Sequence, residues 1–192
     1  MKEVEILVEV LDKKESALKK LEKFEFMGVK ETLDLYFFDP KRSELKPEKG
    51  GRLNACFRLR KKDKKAQMTY KIDNFDKNGK WIYSDEDEVE VSDLRIAENI
   101  IEHLGLKKLV EIDNKKWTYL TSDLEIVFEE VKDLGLFLEV EKLNVKDDAD
   151  INVIKKEIWN FIKSLKIKIG EELNAGKPEL MMKKKMIYKN LL

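Results

Sequence analysis

The chain has 192 residues, of which 42% are hydrophobic and 41% are charged, and its 39 lysines and arginines balance its 39 aspartates and glutamates. One hydrophobic core can serve this length, and a zero net charge removes the overall field that steers proteins to nucleic acid or acidic membranes. The single cysteine, Cys56, and single histidine, His103, exclude an intramolecular disulfide and a zinc site built from these residue types. Charges occur throughout the chain, so we expect a soluble, cytoplasmic protein without a membrane span.

The first elements are predicted from alternation and capping signals. Over residues 3–10 valine and isoleucine take the even positions and Glu3, Glu5 and Glu9 share the odd face, which is the period of a strand. Asp12 begins a capping-box pattern, so we predict a helix that starts there and ends at Gly28. A second strand is predicted over residues 33–38. The loop over residues 39–51 contains two prolines and two glycines and is long enough to serve as a lid.

The same signals predict the strands and helices of the rest of the chain. The predicted strands are a hairpin over 53–60 and 67–72 with a turn at 61–65, a strand over 81–91, and strands over 109–120, 123–132 and 136–145. Helices are predicted over 150–166 and after Pro178. A further helix is predicted to be capped by Asp93, with Leu94, Ala97, Ile101 and Leu104 on its inward side. Because no linker or repeat interrupts this order, we expect one α+β domain over residues 1–192, with the C-terminal helical segment from about residue 150 packing on the strands.

Several predicted strands carry their charged residues on one face. The basic residues are Arg58, Arg60, Lys71 and Lys116, and the acidic ones are Glu3, Glu5, Glu86, Glu88, Glu90, Glu139 and Glu141. One interpretation is an open sheet whose charged face is solvated. The other is a barrel of about eight strands with a charged interior, where the charges must pair or bind a charged ligand. Carboxylates suit magnesium or manganese, and arginine and lysine suit phosphate, so that interior would bind a metal-bound polyphosphate.

These residues resemble the motifs of the CYTH family, or triphosphate tunnel metalloenzymes, which include class IV adenylyl cyclases and thiamine triphosphatases. The matching motifs are Glu3-Val4-Glu5 of the family's ExExK opening, Arg58-Leu59-Arg60, a threonine-tyrosine-lysine run ending at Lys71, Glu88 and Glu90 of an acidic strand, Lys115-Lys116-Trp117-Thr118-Tyr119, and a late signature of Glu129, Leu134-Gly135, Phe137, Glu139 and Glu141. The resemblance covers most of the chain. It implies a closed eight-stranded antiparallel β-barrel with helices packed on the outside.

The resemblance also implies roles for these residues. The implied catalytic residues are Glu3, Glu5, Glu88 and Glu90, the implied triphosphate-binding residues are Arg58, Arg60, Lys71 and Lys116, and the implied ligands of Mg²⁺ or Mn²⁺ are Glu3, Glu5, Glu129, Glu139 and Glu141. Two departures from the family pattern stand out. Leu7 occupies the position of the lysine in the opening motif, and the family's C-terminal serine-tyrosine pattern is not evident.

The function implied by this resemblance is metal-dependent turnover of a triphosphate compound such as ATP, thiamine triphosphate or inorganic tripolyphosphate. We expect a triphosphatase, because hydrolysis of a triphosphate needs no dedicated pocket for a nucleobase. Two alternatives stay open. One is a class IV adenylyl cyclase that converts ATP to cyclic AMP and pyrophosphate. The other is a nucleotide- or polyphosphate-binding module without turnover, which the missing lysine at Leu7 favours. Nucleic-acid binding is not expected, and the sequence does not determine the oligomeric state.

Overall fold

The computed structural model describes residues 2–62 and 65–187. They divide into two compact units: unit 1 contains Glu31–Asp113 and the described part of Ala175–Leu192, and unit 2 contains Lys2–Lys30 and Asn114–Asn174. Antiparallel strands and four α-helices make the chain α+β, as predicted. The single domain remains a prediction. In the described part of the chain, no helix is both long enough and apolar enough to cross a membrane.

The elements follow one another in the predicted order, with a few additions. The strands are β1 (Lys2–Glu3), β2 (Glu5–Val10), β3 (Glu25–Phe38), β4 (Ala55–Lys62), β5 (Lys65–Phe75), β6 (Trp81–Val91), β7 (Lys107–Leu120), β8 (Leu124–Val131), β9 (Gly135–Lys142) and β10 (Ile169–Glu172). The helices are α1 (Lys14–Leu21), α2 (Leu94–His103), α3 (Ile151–Ser164) and α4 (Lys177–Lys185), with a short 3₁₀ helix at Ser43–Leu45. The division between the units falls inside β3 and β7, so each of these strands contributes residues to both units.

In unit 1, β3, β4, β5 and β6 pair in that order, and α2 packs on one side of them. The apolar core between them contains Leu35, Phe37, Leu45, Ala55, Leu59, Ala97, Ile101 and Leu106. The Asp93 carboxylate accepts a hydrogen bond from the Ile96 backbone N–H at 2.9 Å, which confirms the predicted cap. The inward prediction for Leu104 is wrong, because α2 ends at His103 and Leu104 is exposed.

In unit 2, β8 pairs with β7 and β9, and β2 pairs with β9 and β10. The fully buried apolar residues of β2, β8 and β9 lie on one side of these strands and are Ile6, Val8, Ile126, Phe128, Leu138 and Val140. Helix α3 contacts β2 and β9 and buries Ile154, Ile158 and Ile162, a spacing that fits the 3.6-residue period of a helix. One side of these strands is therefore a hydrophobic core, and the other side carries the charges.

The helix predicted to start at Asp12 and end at Gly28 is wrong in its bounds. Helix α1 begins at Lys14, and its N-cap residue makes no side-chain cap hydrogen bond. The Asp12 carboxylate instead accepts hydrogen bonds from Lys20 Nζ at 2.7 Å and from the Lys168 backbone N–H at 3.0 Å. Gly28 lies inside β3 with a φ of 113°, a conformation that favours glycine. The middle of the turn predicted at 61–65 lies outside the described residues.

Candidate functional site

One side of the strands of unit 1 carries polar and charged side chains. Cross-strand partners in an antiparallel sheet point to the same side, and the register pairs Asp34 with Arg60, Tyr36 with Arg58, and Lys71 with Glu86. We call this the polar face of unit 1, and it contains Asp34, Tyr36, Arg58, Arg60, Thr69, Lys71, Glu86 and Glu88. The structure therefore brings Arg58, Arg60 and Lys71 together, as the alternation predicted.

Arg60 is fixed by a two-pronged contact with Asp34. Its Nε and Nη2 atoms each donate to one Asp34 carboxylate oxygen, both at 2.7 Å. The Asp34 side chain is only 2% exposed. Parallel charge-assisted bonds of this kind hold the plane of a guanidinium in one orientation. Asp34 uses two of the five N–H groups of Arg60, so it orients the remaining ones.

Arg58 has a looser set of partners. Its Nη2 donates to Glu86 Oε1 and to Thr69 Oγ1, both at 3.1 Å, and Glu88 Oε2 lies 3.7 Å away. Glu86 Oε2 in turn lies 3.8 Å from Lys71 Nζ. Burial raises the pKa of the neighbouring Tyr36 to about 12, so its phenol stays protonated at neutral pH. Every cation of the polar face thus has a carboxylate beside it, and a bound anion would have to share or replace that carboxylate.

The two carboxylates predicted to be catalytic on β6 lie at an exposed position. Glu88 accepts hydrogen bonds from Gln67 Nε2 at 2.9 Å and from Thr69 Oγ1 at 3.2 Å. Glu90 is also exposed and pairs with Gln67 across the strands. Glu88 is connected to Arg58 through Thr69, whereas the register places Glu90 beside Gln67.

In unit 2 the register aligns three carboxylates side by side. Glu5 on β2 pairs with Glu141 on β9, and Glu141 pairs with Glu125 on β8. Side chains in such positions have Cβ atoms about 5 Å apart. Burial raises the pKa of Glu141 to about 8, and the charges of Glu3, Glu5, Glu139 and Glu125 add to the shift. We call these five glutamates the acidic cluster.

Leu7 occupies the cross-strand position beside Glu139, and its side chain is buried. On the other side of Glu139 the partner is Val127, which is also buried and apolar. The family's opening lysine would fall at position 7, directly beside the acidic cluster. In this chain the position supplies no positive charge to the cluster.

Lys116 and Glu129 form an ion pair of their own in unit 2. The two residues are cross-strand partners on β7 and β8, and Lys116 Nζ lies 3.0 Å from Glu129 Oε1. Glu129 is fully buried. A charge buried this deeply requires a partner of opposite sign. The predicted phosphate-binding lysine and one predicted metal ligand therefore contact each other directly.

The donor chemistry of the acidic cluster fits a hard divalent cation, because Mg²⁺ and Mn²⁺ prefer carboxylate oxygens. A cation there would also offset the repulsion that raises the pKa of Glu141. Within residues 2–62 and 65–187, however, no three His, Cys, Asp or Glu side chains are arranged to hold a metal ion as they stand.

The sequence did not identify Asp34 and Tyr36 as members of the polar face of unit 1, or Glu125 as a member of the acidic cluster. Each alternates with apolar neighbours, so the strand period could have placed Asp34 and Tyr36 on the side opposite Leu35. The partners could not be identified, because they depend on the register between strands.

We predict that Asp34→Asn lowers the free energy of unfolding by about 3 kcal/mol or more, because it leaves the Arg60 guanidinium without its carboxylate in a largely buried position. Urea unfolding, monitored by circular dichroism, measures the free energy of unfolding of the wild type and the variant. The control is Glu48→Gln, which breaks the Arg52–Glu48 pair, whose side chains are 37% and 41% exposed. That change should cost less than about 1 kcal/mol. Equal losses in both variants would contradict the prediction.

We predict that Glu141→Gln stabilises the protein at pH 8 more than at pH 5, in buffer containing a chelator. The folded-state pKa is about 8 against an ordinary 4.5. Between these values the folded state keeps a proton that the unfolded state has released, so the free energy of unfolding falls as the pH rises. Glutamine has no proton to lose, so its gain at pH 8 over pH 5 should be roughly 2–4 kcal/mol.

Urea unfolding at the two pH values measures the difference between Glu141→Gln and the wild type. The matched control is Glu171→Gln in β10, whose side chain is exposed. That change should alter stability by a similar small amount at both pH values. A gain for Glu141→Gln that is the same at pH 5 and pH 8 would mean that Glu141 ionises normally in the folded protein.

The chain is similar to several known proteins in sequence and in fold. The sequence model of the CYTH domain matches residues 1–174. A Methanocaldococcus jannaschii protein named "Putative adenylate cyclase" is 32% identical over 169 residues, which cover 87% of this chain and 91% of that protein. The structure of the PH1012 protein from Pyrococcus horikoshii superimposes with a TM-score of 0.75 at 25% identity, covering 93% of this chain and 98% of that one.

A Hippeastrum protein, described as having a dominant triphosphatase activity, superimposes with a TM-score of 0.60 over 98% of this chain and 95% of its own. At 16% identity it supports the fold alone. Proteins of the CYTH family are triphosphatases or adenylyl cyclases, act on triphosphate substrates and generally depend on metal ions. The match over residues 1–174 and the M. jannaschii relative show that this chain belongs to the CYTH family.

Proposed function

We propose that this chain is a metal-dependent triphosphatase that hydrolyses the terminal phosphate of a triphosphate compound. The observation that carries the proposal is the polar face of unit 1, where two arginines and a lysine share one side of paired strands. Guanidinium and ammonium groups are the protein groups best suited to phosphate oxygens. Arg58, Arg60 and Lys71 would bind the triphosphate, and Lys116 of unit 2 would add a fourth cation.

Asp34 and Glu129 would act as positioning residues in this enzyme. Asp34 holds the Arg60 guanidinium in one plane through two 2.7 Å bonds. Glu129 holds the Lys116 ammonium at 3.0 Å. A cation fixed before the ligand arrives loses less conformational freedom when it binds, so more of the contact energy is available for binding.

The acidic cluster would hold Mg²⁺ or Mn²⁺, with Glu3, Glu5, Glu139 and Glu141 as the proposed ligands. When bound, the ion would neutralise charge that develops on the phosphate oxygens during transfer. Glu141 must lose its proton to act as a ligand, and because its pKa is raised to about 8 it still holds that proton at neutral pH. We therefore expect metal binding to release a proton at pH 7.

A carboxylate would orient the attacking water and accept its proton. Glu88 and Glu90 are the proposed residues in unit 1, and Glu3 and Glu5 those in unit 2. Glu88 is hydrogen-bonded to Thr69, which also contacts Arg58, so it is the candidate tied to a phosphate-binding group. The new bond joins the water oxygen to the terminal phosphorus, and the bond from that phosphorus to the bridging oxygen breaks.

The proposed enzyme is one domain with the closed eight-stranded barrel that the family resemblance implies. This arrangement is part of the proposal. It is supported by family membership and by the separation of charged from apolar residues on the strands of each unit.

The second candidate function is an adenylyl cyclase, which the name of the M. jannaschii relative favours. The same cations would bind ATP, but the ribose 3′ oxygen would form a bond to the α-phosphorus. The bond from the α-phosphorus to the bridging oxygen would break, and pyrophosphate would leave. The two reactions differ in which phosphorus faces the nucleophile.

Product analysis distinguishes the candidates. The purified protein is incubated with tripolyphosphate, thiamine triphosphate or ATP, each with Mg²⁺ or Mn²⁺, and the products are separated by chromatography. We expect metal-dependent release of orthophosphate. Cyclic AMP with pyrophosphate would instead establish the cyclase. Binding without any product would leave a triphosphate-binding module, and Leu7→Lys would then show whether the lost lysine is the reason.

We predict that Arg58→Ala weakens tripolyphosphate binding roughly tenfold to a hundredfold, the loss expected for a hydrogen bond between charged groups. Arg58 is the better test than Arg60, because removing Arg60 would also break its two hydrogen bonds with the buried Asp34 carboxylate. Isothermal titration calorimetry in the presence of Mg²⁺ measures the affinity.

The matched control is Lys61→Ala, which removes a positive charge from the same strand. Lys61 pairs with Leu33 and Ala66, so its side chain points to the side opposite Arg58 and Arg60. The control should change the affinity less than about twofold, since exposed charges interact weakly through solvent. If Arg58→Ala leaves the affinity for tripolyphosphate unchanged, the polar face is not a phosphate-binding surface.

A further inference from the structure

Asn114 lies on the same side of unit 2 as the Lys116–Glu129 pair. It is two residues before Lys116 on β7, and side chains two residues apart on a strand point to the same side. Its cross-strand partner on β8 is Val131, just as Glu129 is the partner of Lys116. The Asn114 side chain is 2% exposed. A neutral amide is thus buried beside a proposed phosphate-binding lysine.

The Asn114 amide has no hydrogen-bond partner among the described residues, at either Oδ1 or Nδ2. Its neighbour Val131 is buried and apolar, so it cannot supply one. Buried polar groups in proteins are nearly always hydrogen-bonded, and an amide without partners lowers stability. An apolar residue of similar shape would suit the folded protein better, so the amide points to a ligand.

We propose that Asn114 binds the organic part of an organic triphosphate and selects it over inorganic tripolyphosphate. This inference rests on the proposed function, since it assumes that the triphosphate binds beside Lys116. The substrate class is a triphosphate ester whose organic group carries an O–H or N–H donor near the phosphates.

The reason lies in the two different polar atoms of the amide. Nδ2 donates, and a phosphate oxygen or an acceptor on the organic group satisfies it. Oδ1 accepts, and it needs an O–H or N–H donor that the oxygens of an ionised polyphosphate lack. A ligand made only of phosphate therefore leaves Oδ1 without a partner, whereas a hydroxyl or amine on an organic group satisfies it. Sites that bind a polar group in this way reject analogues that lack it.

The test compares ATP with tripolyphosphate in wild type and in Asn114→Leu, by calorimetry with Mg²⁺. Leucine matches asparagine in shape but removes both polar atoms. We expect ATP to bind roughly tenfold more weakly, the effect of one lost hydrogen bond in a buried site. Tripolyphosphate should weaken less than ATP, because it loses at most the Nδ2 contact and never satisfied Oδ1. The ligand-free variant should melt at the wild-type temperature or above it, which separates a ligand contact from a structural role.

Two further variants complete the design. Asn114→Ala repeats the comparison with a smaller side chain, should leucine prevent folding. Asn99→Leu makes the same chemical change at an exposed position of α2 and should leave both affinities unchanged.

The outcomes separate this inference from the proposed function. Equal losses for ATP and tripolyphosphate, or no loss for either, overturn the selection by Asn114 while Arg58→Ala still weakens binding. A wild-type protein that binds neither compound overturns both. A larger loss for ATP than for tripolyphosphate in either Asn114 variant supports the inference.

Discussion

The cross-strand register of unit 2 is the constraint on which the candidate site depends. It aligns Glu5, Glu141 and Glu125 in one row, and the adjacent row on the opposite side contains Ile6, Val140 and Ile126. These three apolar side chains are fully buried, and each contributes about 1.5–3 kcal/mol. That sum exceeds the few kcal/mol that ionising Glu141 costs. A slip of one residue would bury the glutamates and expose the core, so the core keeps the acidic row in place.

The two units balance their strand charges in different ways. In unit 1 each cation of the polar face has a carboxylate close by, as in the Arg60–Asp34 and Arg58–Glu86 pairs. In unit 2 the crowded carboxylates are relieved by proton uptake at Glu141. The two solutions predispose the units to different ligands. An anion can compete for cations that already lie on one face, and a metal ion can replace the proton that Glu141 holds.

Alternation alone predicted the strands whose two sides differ most. The strand over residues 81–91 has the predicted bounds, and Arg58, Arg60 and Lys71 share a side as expected. The beginning of β3 was missed because residues before Gly28 continue an apolar pattern that also suits a helix. The short strand β10 lacks an alternating pattern long enough to detect. Pairing across strands, such as Asp34 with Arg60, depends on register and burial, which are properties of the folded chain.

Leu7 shows how one substitution in a register can change the chemistry of a neighbouring cluster. Leu7 is the cross-strand partner of Glu139, and the charge of Glu139 contributes to the raised pKa of Glu141. A lysine at this position would stabilise the ionised glutamates and lower the pKa of Glu141. Leucine leaves the cluster to draw its positive charge from a proton or a metal ion. The residue that removes one basic group from the family pattern therefore also leaves the acidic cluster with a greater need for positive charge.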